Sequence, residues 1–241
     1  MRILGFDTAT RATAVAVCDL GAAELTLELR DDPALGARPR HTTRLMPLIA
    51  ELLARTSSSW GEIDRIAVGV GPGTFTGLRI GIATANALGR ANEIPLVGIS
   101  TLQSLALNGA RVGAGDGADT VLAAIDARRG EAFAAAWRVL EGDLREQLLA
   151  PRATPPGELA RLLPALGSRV LALGDGAVEF RSQLEQSGAS VPGDDSELHR
   201  VTAINHCVLA ASRPASADQE IRPEYLRLPD AEITRRATGS R

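Results

Sequence analysis

The chain of 241 residues contains no lysine, and all 26 of its basic residues are arginine. This absence excludes a Walker-type phosphate loop, which needs a lysine near the end of its glycine-rich turn. The glycine-rich stretch of residues 71–81 (GPGTFTGLRIG) also lacks the dinucleotide-binding fingerprint. Thr76 stands where the third glycine is required, and Gly77 comes one residue late. Neither of these two nucleotide-binding motifs is therefore present in this stretch.

Cysteine, histidine and aromatic residues are also scarce. Cys18 and Cys207 lie far apart without metal-type spacing, so we interpret both as small core residues of a protein in a reducing compartment. His41 precedes a predicted helix, but Arg44 and Leu45 stand where a helical metal site would place a second histidine. We therefore expect no metal site. With only 3% aromatic residues, the core must consist of alanine, leucine, valine and isoleucine.

No apolar run approaches the length of a membrane span, and no signal peptide precedes the first predicted strand. We therefore expect a cytoplasmic protein with no membrane partner. The formal charge of −3 gives no basic footprint for independent nucleic-acid binding, although clustered arginines can still add a local patch. The length and the 45% of hydrophobic residues suit one large domain or two small ones with ample core.

The glycine-rich stretch 71–81 joins a strand-like run, Asp64–Val70, to a helical run from about Thr76 to Arg90. Backbone N–H groups at such a junction, together with the positive end of the helix dipole, can bind an anion. The glycines also suit a turn that needs positive φ. We favour this simpler interpretation of the stretch.

Gly77, Gly81 and Ala85 recur at every fourth residue and form a stripe of small residues on one face of the predicted helix. Each glycine in a helix costs roughly 1 kcal/mol relative to alanine, so close packing against another segment should offset this cost. Another part of the same chain or a second subunit can fill such a groove. The sequence leaves both alternatives open.

The chain is predicted to begin as a meander of three strands, Arg2–Phe6, Thr13–Cys18 and Glu24–Leu29. Asp7 and Thr8 follow the first of them. An acidic residue followed by hydroxyl groups suits a phosphate or magnesium site, but it suits an ordinary turn equally well and we favour the turn. Apolar residues at helical spacing then predict a helix from about Arg44 to Arg55.

The segment Asn108–Asp119 is rich in glycine, alanine and aspartate, and we place a domain boundary there. The other predicted elements are a strand Ile94–Ile99, a helix Leu102–Leu107, a hairpin of strands Val121–Asp126 and Glu131–Arg138, a helix Gly157–Leu166, a strand Arg169–Leu173, a glycine turn Gly174–Ala177 and helices Val178–Gln186 and Val201–Ser212. We expect subdomains 1–107 and 108–228, with the last helices packing back on the first subdomain, and a flexible tail 229–241.

Three segments resemble the TsaB (YeaZ) family: residues 71–81, Ile125–Glu131 (IDARRGE) and Pro223–Arg227 (PEYLR). An Asp-Thr hairpin in the first half and a Gly-Asp-Gly turn in the second resemble the wider actin-like ATPase superfamily. The resemblance to TsaB covers most of the chain and is weakest at residues 104–120 and 139–200. It implies an α/β fold of two actin-like (ribonuclease H-like) subdomains, each a mixed sheet flanked by helices.

The resemblance implies a supporting role in bacterial tRNA modification. The TsaB family is a subunit of the machinery that installs threonylcarbamoyl on the adenosine next to the anticodon of certain tRNAs. Its homologue TsaD holds an iron site and performs the transfer, and TsaE supplies an ATPase. The expected partners are therefore a TsaD-like homologue and a TsaE-like ATPase, with tRNA contacted only through the complex. No catalytic residue and no cofactor of its own are expected, whereas a nucleotide at the partner interface and a homodimer of the isolated chain stay open.

Members of this family pair with TsaD through two helices that correspond here to Arg44–Arg55 and Thr76–Arg90. The residues expected at this interface are Leu45, Leu48, Leu52, Gly77, Leu78, Gly81 and Ala85. The residues expected to form vestigial phosphate turns are Asp7, Thr8, Gly174, Asp175 and Gly176. The family usually has Ser-Glu after the loop histidine, whereas this chain has Thr42-Thr43.

Two other functions are alternatives, and direct tRNA binding is a further possibility, for which the net charge indicates a contact shared with a partner. An actin-like small-molecule kinase would use Asp7, Thr8 and the turn Gly174–Gly176 on ATP between the subdomains, and ATP binding by the isolated chain would favour it. Such a kinase needs a catalytic carboxylate near its cleft, and none stands out in the sequence. A peptidase needs a nucleophile–base pair or a metal pair, and the sequence shows neither.

Overall fold

The computed structural model describes residues 1–21, 25–34, 36–216 and 220–226, and only the backbone of residues 113–116. The predicted flexible tail, residues 229–241, lies outside the described residues. Within the described ranges the chain forms two five-stranded sheets flanked by helices.

The first sheet contains five strands from the N-terminal half. They are β1 (Arg2–Asp7), β2 (Thr13–Asp19), β3 (Thr26–Asp31), β4 (Arg65–Gly71) and β5 (Leu96–Ser100). Their spatial order is β3-β2-β1-β4-β5. The pairs β1–β2 and β2–β3 are antiparallel, with Phe6 opposite Val15, whereas β1–β4 and β4–β5 are parallel, with Phe6 opposite Val68. The predicted opening meander is therefore confirmed.

The second sheet repeats this pattern. Its strands are β6 (Thr120–Asp126), β7 (Ala132–Leu140), β8 (Asp143–Thr154), β9 (Val170–Leu173) and β10 (Ala189–Ser190). Their order is β10-β9-β6-β7-β8, with antiparallel pairs β6–β7 and β7–β8 and parallel pairs β6–β9 and β9–β10. Each half thus consists of a three-stranded meander extended by two parallel strands, which confirms the predicted fold of two actin-like mixed sheets.

Seven α-helices flank the sheets in the described ranges. They are α1 (His41–Arg55), α2 (Phe75–Asn92), α3 (Thr101–Asp116), α4 (Pro156–Leu166), α5 (Asp175–Glu179), α6 (Arg181–Gln186) and α7 (Ala203–Ala211). Helices α1 and α2 pack on one face of the first sheet and α7 on its other face, while α3 lies between α7 and the second sheet. No helix in the described part of the chain is both long and apolar enough to cross a membrane.

Strand β1 is buried on both faces, as its almost continuous apolar sequence predicts. Leu4 and Phe6 belong to the core formed with α1 and α2, whereas Ile3 belongs to the core formed with α7. Helix α7 follows the second sheet in sequence but packs on the first. The C-terminal part of the described chain therefore closes the N-terminal half.

Helix α3 is longer than the sequence predicted. The expected helix ended at Leu107, because three glycines follow within residues 108–116, but α3 continues to Asp116. Ala106 and Ala110 are fully buried in the core formed with the second sheet, so packing stabilises a segment with weak helix propensity. The predicted division after residue 107 falls inside this helix and stays a prediction.

Strand β8 was missed by sequence reasoning. It is an edge strand with charged residues at Asp143, Arg145 and Glu146, and its exposed and covered positions do not alternate regularly. Its pairing with β7 is also interrupted by register shifts. Charged residues are common on edge strands, but they obscure the two-residue period by which a strand is recognised.

Three further predictions of helix boundaries are corrected. The predicted glycine turn Gly174–Ala177 is mostly the start of α5, with Gly174 at the N-cap position. The helix predicted after it is interrupted at Phe180, so two short helices replace one. The side chain of Phe180 is buried in a core cluster of the second half of the chain. Helix α1 begins at His41, three residues earlier than predicted.

Candidate functional site

The turn after β1 contains a buried carboxylate rather than an open phosphate loop. Asp7 is only 1% exposed. Its Oδ1 accepts a hydrogen bond from the backbone N–H of Ala9 at 2.7 Å. Its Oδ2 accepts from the hydroxyl of Thr101 at 2.9 Å and lies 3.0 Å from Nε2 of His206. Groups of the chain itself therefore occupy both oxygens of this carboxylate.

His206 lies between two hydrogen-bond acceptors. Its Nδ1 lies 3.0 Å from the carbonyl oxygen of Thr202, and its Nε2 faces the Asp7 carboxylate. Burial raises the pKa of Asp7, but the hydrogen bond and charge of His206, together with the hydrogen bonds from Ala9 and Thr101, outweigh burial and hold this pKa below its usual value. Asp7 and His206 thus form a buried ion pair that joins β1 to α7.

Thr8 fills the groove on α2. Its hydroxyl donates a hydrogen bond to the carbonyl oxygen of Gly77 at 2.7 Å. A Cβ atom on Gly77 would overlap the backbone carbonyl of Thr8, and one on Gly81 would overlap the Thr8 hydroxyl. The stripe of small residues is therefore explained by a contact within the chain, which is one of the two alternatives that the sequence left open.

The predicted interface residues lie in the interior. All seven of them are buried: Leu45, Leu48, Leu52, Gly77, Leu78, Gly81 and Ala85. The leucines at helical spacing mark the face of α1 that packs on the first sheet, not a face turned to a second protein. These seven residues are buried within the chain, and the partner interface on the two helices stays a prediction, for which their outer faces are the exposed surface.

The outer faces of α1 and α2 are mostly uncharged. The exposed small, hydroxyl or apolar residues there are Thr42, Thr43, Met46, Pro47, Ala50 and Ala54 on α1 and Thr76, Ala83, Ala87 and Ala91 on α2, and we call this set the outer helix face. The charged residues exposed on these two helices are Glu51, Arg55, Arg79 and Arg90. Met46 is 45% exposed. A surface of small side chains allows close approach of another helix.

The glycine-rich junction before α2 holds the first hairpin. Gly71 has φ +117°, as the interpretation of this stretch as a turn predicted. The backbone N–H of Thr74 donates to the carbonyl oxygen of Ala9 at 2.7 Å. This N–H group at the start of α2 is therefore used to position the β1–β2 turn.

An exposed aromatic pair fastens residues 220–226 to α2. The rings of Phe75 and Tyr225 stack with their centroids 5.4 Å apart, and they are 36% and 40% exposed. The guanidinium carbon of Arg79 lies 3.9 Å from the Phe75 centroid, and its Nε donates to the Tyr225 hydroxyl at 3.3 Å. Ile221 adds a buried apolar anchor.

The Gly-Asp-Gly turn of the second half is likewise occupied by protein contacts. Asp175 Oδ1 accepts from the backbone N–H of Asp126 at 2.9 Å, and burial raises the pKa of Asp175. The N–H of Gly174 donates to Nδ1 of His199 at 3.1 Å. The proton of His199 is therefore on Nε2, which lies 3.1 Å from the carbonyl oxygen of Pro192.

The cavity beside the two predicted phosphate turns is small. A cavity of about 190 Å³ is lined by Thr10 and Arg11 from the first hairpin and by Asp175 from the second half, but Asp7 is not part of its lining. Gly176 packs against the neighbouring backbone of β6. Pockets for small molecules usually measure roughly 300–1,000 Å³. The structure thus brings the two predicted phosphate turns to the same region but leaves little space there.

The remaining histidine and the cysteines are core residues. His41 is buried, its Nδ1 lies 2.8 Å from the hydroxyl of Thr13, and burial lowers its pKa. Cys18 and Cys207 share a core cluster with Ile3, as their interpretation as small core residues predicted. Within residues that the structure describes, no three His, Cys, Asp or Glu side chains are grouped so that they could hold a metal ion.

Sequence reasoning missed Thr101 and His206 as partners of Asp7. His206 is 199 residues away from Asp7, so no local motif could signal their pairing. A histidine inside a strongly apolar helix was the available hint, because a buried polar side chain must find a hydrogen-bond partner. The identity of that partner depends on how α7 packs across β1.

Comparison with known sequences and structures gives consistent matches. The model of the family described as TsaD, tRNA N6-adenosine threonylcarbamoyltransferase, matches residues 33–234. The chain is 40% identical over 157 residues to the tRNA threonylcarbamoyladenosine biosynthesis protein TsaB of Escherichia coli, a match that covers 63% of each chain. It is 26% identical over 239 residues to the protein of the same name from Bacillus subtilis, which covers 96% of each chain.

The extent of these matches differs between relatives. The aligned segment spans less than two thirds of the Escherichia coli protein but nearly all of the Bacillus subtilis one. Among solved structures, YeaZ from Pseudomonas aeruginosa superposes with a TM-score of 0.75 at 26% identity, covering 93% of this chain and 99% of that one.

Proposed function

Because the chain belongs to the TsaD family, within its TsaB/YeaZ group, we propose that it is an accessory subunit of the bacterial complex that transfers threonylcarbamoyl to the adenosine next to the anticodon of tRNA. Its role in that complex is to bind and support a TsaD-like catalytic homologue. The names of the curated relatives support the link to threonylcarbamoyladenosine biosynthesis.

The observation that carries the accessory role is the outer helix face. Exposed alanines at positions 50, 54, 83, 87 and 91 let another helix approach closely, and a partner that shares this fold offers equivalent helices. The core side of α1 and α2 is already filled by the first sheet and Thr8. Pairing of like with like is common among related subunits, so the same face also suits a homodimer of the isolated chain.

The two predicted phosphate turns are occupied by contacts within the chain, which favours an accessory role over a catalytic one. An ATP-dependent kinase would need the carboxylate of Asp7 for the phosphates or their metal ion, but this carboxylate is buried and paired with His206. The cavity of about 190 Å³ beside Asp175 is smaller than usual ligand pockets. We therefore place any nucleotide at the interface with the partner, ATP hydrolysis in a TsaE-like protein, and tRNA contact in the assembled complex in the cytoplasm.

Affinity capture from the native host tests this function. The tagged wild type should retain a TsaD-like protein, and Ala87→Arg should lose it because a long charged side chain on the outer helix face blocks close approach. Ala165→Arg, which places the same side chain at an exposed position of α4, is the matched control and should retain the partner. Ala87 suits this test better than Gly81, whose substitution would displace Thr8.

Two results would contradict the proposal. Capture of no TsaD-like protein by the wild type would remove the supporting role. Equal capture by Ala87→Arg and wild type would remove the outer helix face as the contact surface. Circular dichroism and thermal unfolding of both variants establish that any loss comes from the surface and not from unfolding.

A further inference from the structure

Four arginines gather around the start of α1 in a protein that is acidic overall. The arginine patch consists of Arg11, Arg38, Arg40 and Arg44. Arg11 comes from the β1–β2 turn, and its Nη2 donates to the carbonyl oxygens of Ala34 at 3.1 Å and Ala37 at 2.8 Å. These bonds hold the loop that carries Arg38 against the first hairpin.

The patch has more positive charge than its acidic neighbours neutralise. Arg40 and Arg44 both contact the buried carboxylate of Asp31, so one negative charge faces two guanidinium groups. The hydrogen-bond partners of Arg11 are uncharged carbonyl groups, and Arg38 has no ion-pair partner among the described residues. Residues 33–50 contain no aspartate or glutamate. The patch therefore carries a net charge of about +3 at neutral pH.

The backbone at this point adds to the positive potential. Helix α1 begins at His41 without a side-chain cap and without an acidic residue in its first turn. The positive end of its dipole is thus not offset by a local carboxylate. Thr42 and Thr43 are exposed there and provide hydroxyl groups beside Arg40. The side chain of Arg40 is 58% exposed even though its guanidinium group contacts Asp31.

We propose that the arginine patch binds backbone phosphates of the tRNA that the complex modifies. This inference rests on the proposed function, and it names a surface through which this chain itself touches RNA. Guanidinium groups in a fork geometry and exposed hydroxyls are groups that contact phosphate without reading sequence. Since the patch adjoins the outer helix face at Thr42 and Thr43, RNA bound there would lie beside the partner.

Arg38 is the position at which to test the patch. Arg38→Glu reverses an exposed charge without leaving a buried carboxylate unpaired, whereas removal of Arg40 or Arg44 would affect Asp31. Arg161→Glu reverses an exposed arginine on α4 and is the matched control. Arg38→Lys keeps the charge and should restore binding. The probe is a transcribed tRNA with adenosine next to its anticodon, and binding is measured for the full chain and for the complex captured from the host.

Salt dependence provides the quantitative readout. Three phosphate contacts predict an affinity that falls about 20- to 40-fold between 50 and 200 mM salt. The slope of log affinity against log salt concentration should fall in Arg38→Glu by the amount expected for about one phosphate contact. Binding by this variant should be about five- to tenfold weaker at 100 mM salt, while Arg161→Glu should match the wild type. Equal affinity and slope for Arg38→Glu and Arg161→Glu, or no tRNA binding by the wild-type chain and complex at 50 mM salt, would overturn the proposal.

The host capture separates this inference from the proposed function. If a TsaD-like protein is captured but tRNA binding does not depend on Arg38, the patch proposal fails and the accessory role stands. If no TsaD-like protein is captured but Arg38-dependent tRNA binding persists, the accessory role fails and the patch stands. If the Arg38→Glu variant no longer captures an acidic protein that the wild type captures, and its tRNA affinity is unchanged, the patch binds protein and not RNA. That result would overturn the proposal.

Discussion

Asp7 illustrates at the scale of one residue how this chain treats a position that an actin-like enzyme would use for phosphate. Its carboxylate is buried, and Nε2 of His206 from α7 lies 3.0 Å from one of its oxygens. Such a pair is not by itself strongly stabilising, because desolvation offsets the attraction of the two charges. It is costly to break, however, because one charge is then left alone in the core.

Replacing His206 with leucine should therefore destabilise the protein strongly. The loss expected for a buried charge left without its partner is about 3–5 kcal/mol in the free energy of unfolding. Urea unfolding followed by circular dichroism measures it. The double variant Asp7→Asn with His206→Gln contains no buried charge and should recover part of the loss. A single His206→Leu variant as stable as wild type would show that the pair carries no charge.

The same pair predicts a dependence of stability on acid. The pKa of Asp7 is lower in the folded than in the unfolded chain, so its contribution is present above the unfolded value of about 4 and is lost as pH falls through the folded value. The difference in unfolding free energy between wild type and Asp7→Asn should accordingly shrink below about pH 5. A difference that stays constant down to pH 3 would contradict this assignment.

Gly77 tests the contact between α2 and the first hairpin. Alanine is about 1 kcal/mol better than glycine within a helix, but its Cβ at this position would overlap the Thr8 carbonyl. Gly77→Ala should therefore lose about 1–3 kcal/mol of unfolding free energy. Gly157→Ala, in α4 with open space around it, should lose nothing or gain. Thermal or urea unfolding distinguishes the two, and a stabilised Gly77→Ala would refute the close contact.

At the scale of elements, Asn86 is one of several side chains of α2 that hold the segment 220–226. The amide of Asn86 accepts from the backbone N–H of Ile221 at 2.9 Å and donates to its carbonyl at 3.1 Å. A second tie runs from the N–H of Glu224 to the carbonyl of Val70 at 2.8 Å. Asn86 therefore acts as a clamp that helps to hold this segment on the first half.

Asn86→Ala should loosen this segment while leaving the sheets intact. Loss of two hydrogen bonds, each worth about 0.5–1.5 kcal/mol, should speed amide exchange at Ile221 about tenfold or more. Asn92→Ala is the control, since that side chain bonds only within its own helix, to Leu88. NMR-detected hydrogen exchange gives the comparison. Unchanged protection of Ile221 in Asn86→Ala would mean that the other contacts of the segment hold it without Asn86.

The sequence predicts elements well where their apolar pattern reports burial. Strands β1, β2, β4 and β6 are continuous apolar runs because both faces of each sheet are covered, and all were predicted. Helix α3 beyond Leu107 and strand β8 depend instead on tertiary packing and on pairing with β7, which local composition does not show. Leucines at helical spacing mark the core face of α1 whether or not a partner exists, so their pattern alone does not locate an interface.

At the scale of the whole molecule, the fold is predictable because its two halves repeat one arrangement of strands. Each half repeats a three-stranded meander plus two parallel strands, and the motifs at residues 71–81, 125–131 and 223–227 point to one family. The closure of the phosphate turns could not be foreseen, because it depends on the long-range pair of Asp7 and His206. This closure supports the proposed accessory role over ATP binding between the two halves of the chain.

The proposed accessory role is tested by the content of threonylcarbamoyladenosine in tRNA. The chain is depleted in its native host, and the nucleosides of digested tRNA are measured by mass spectrometry. We expect threonylcarbamoyladenosine to fall sharply in the depleted host. Expression of the wild type or Ala165→Arg should restore it, and expression of Ala87→Arg should not. Unchanged threonylcarbamoyladenosine after depletion of the chain would contradict the proposed function.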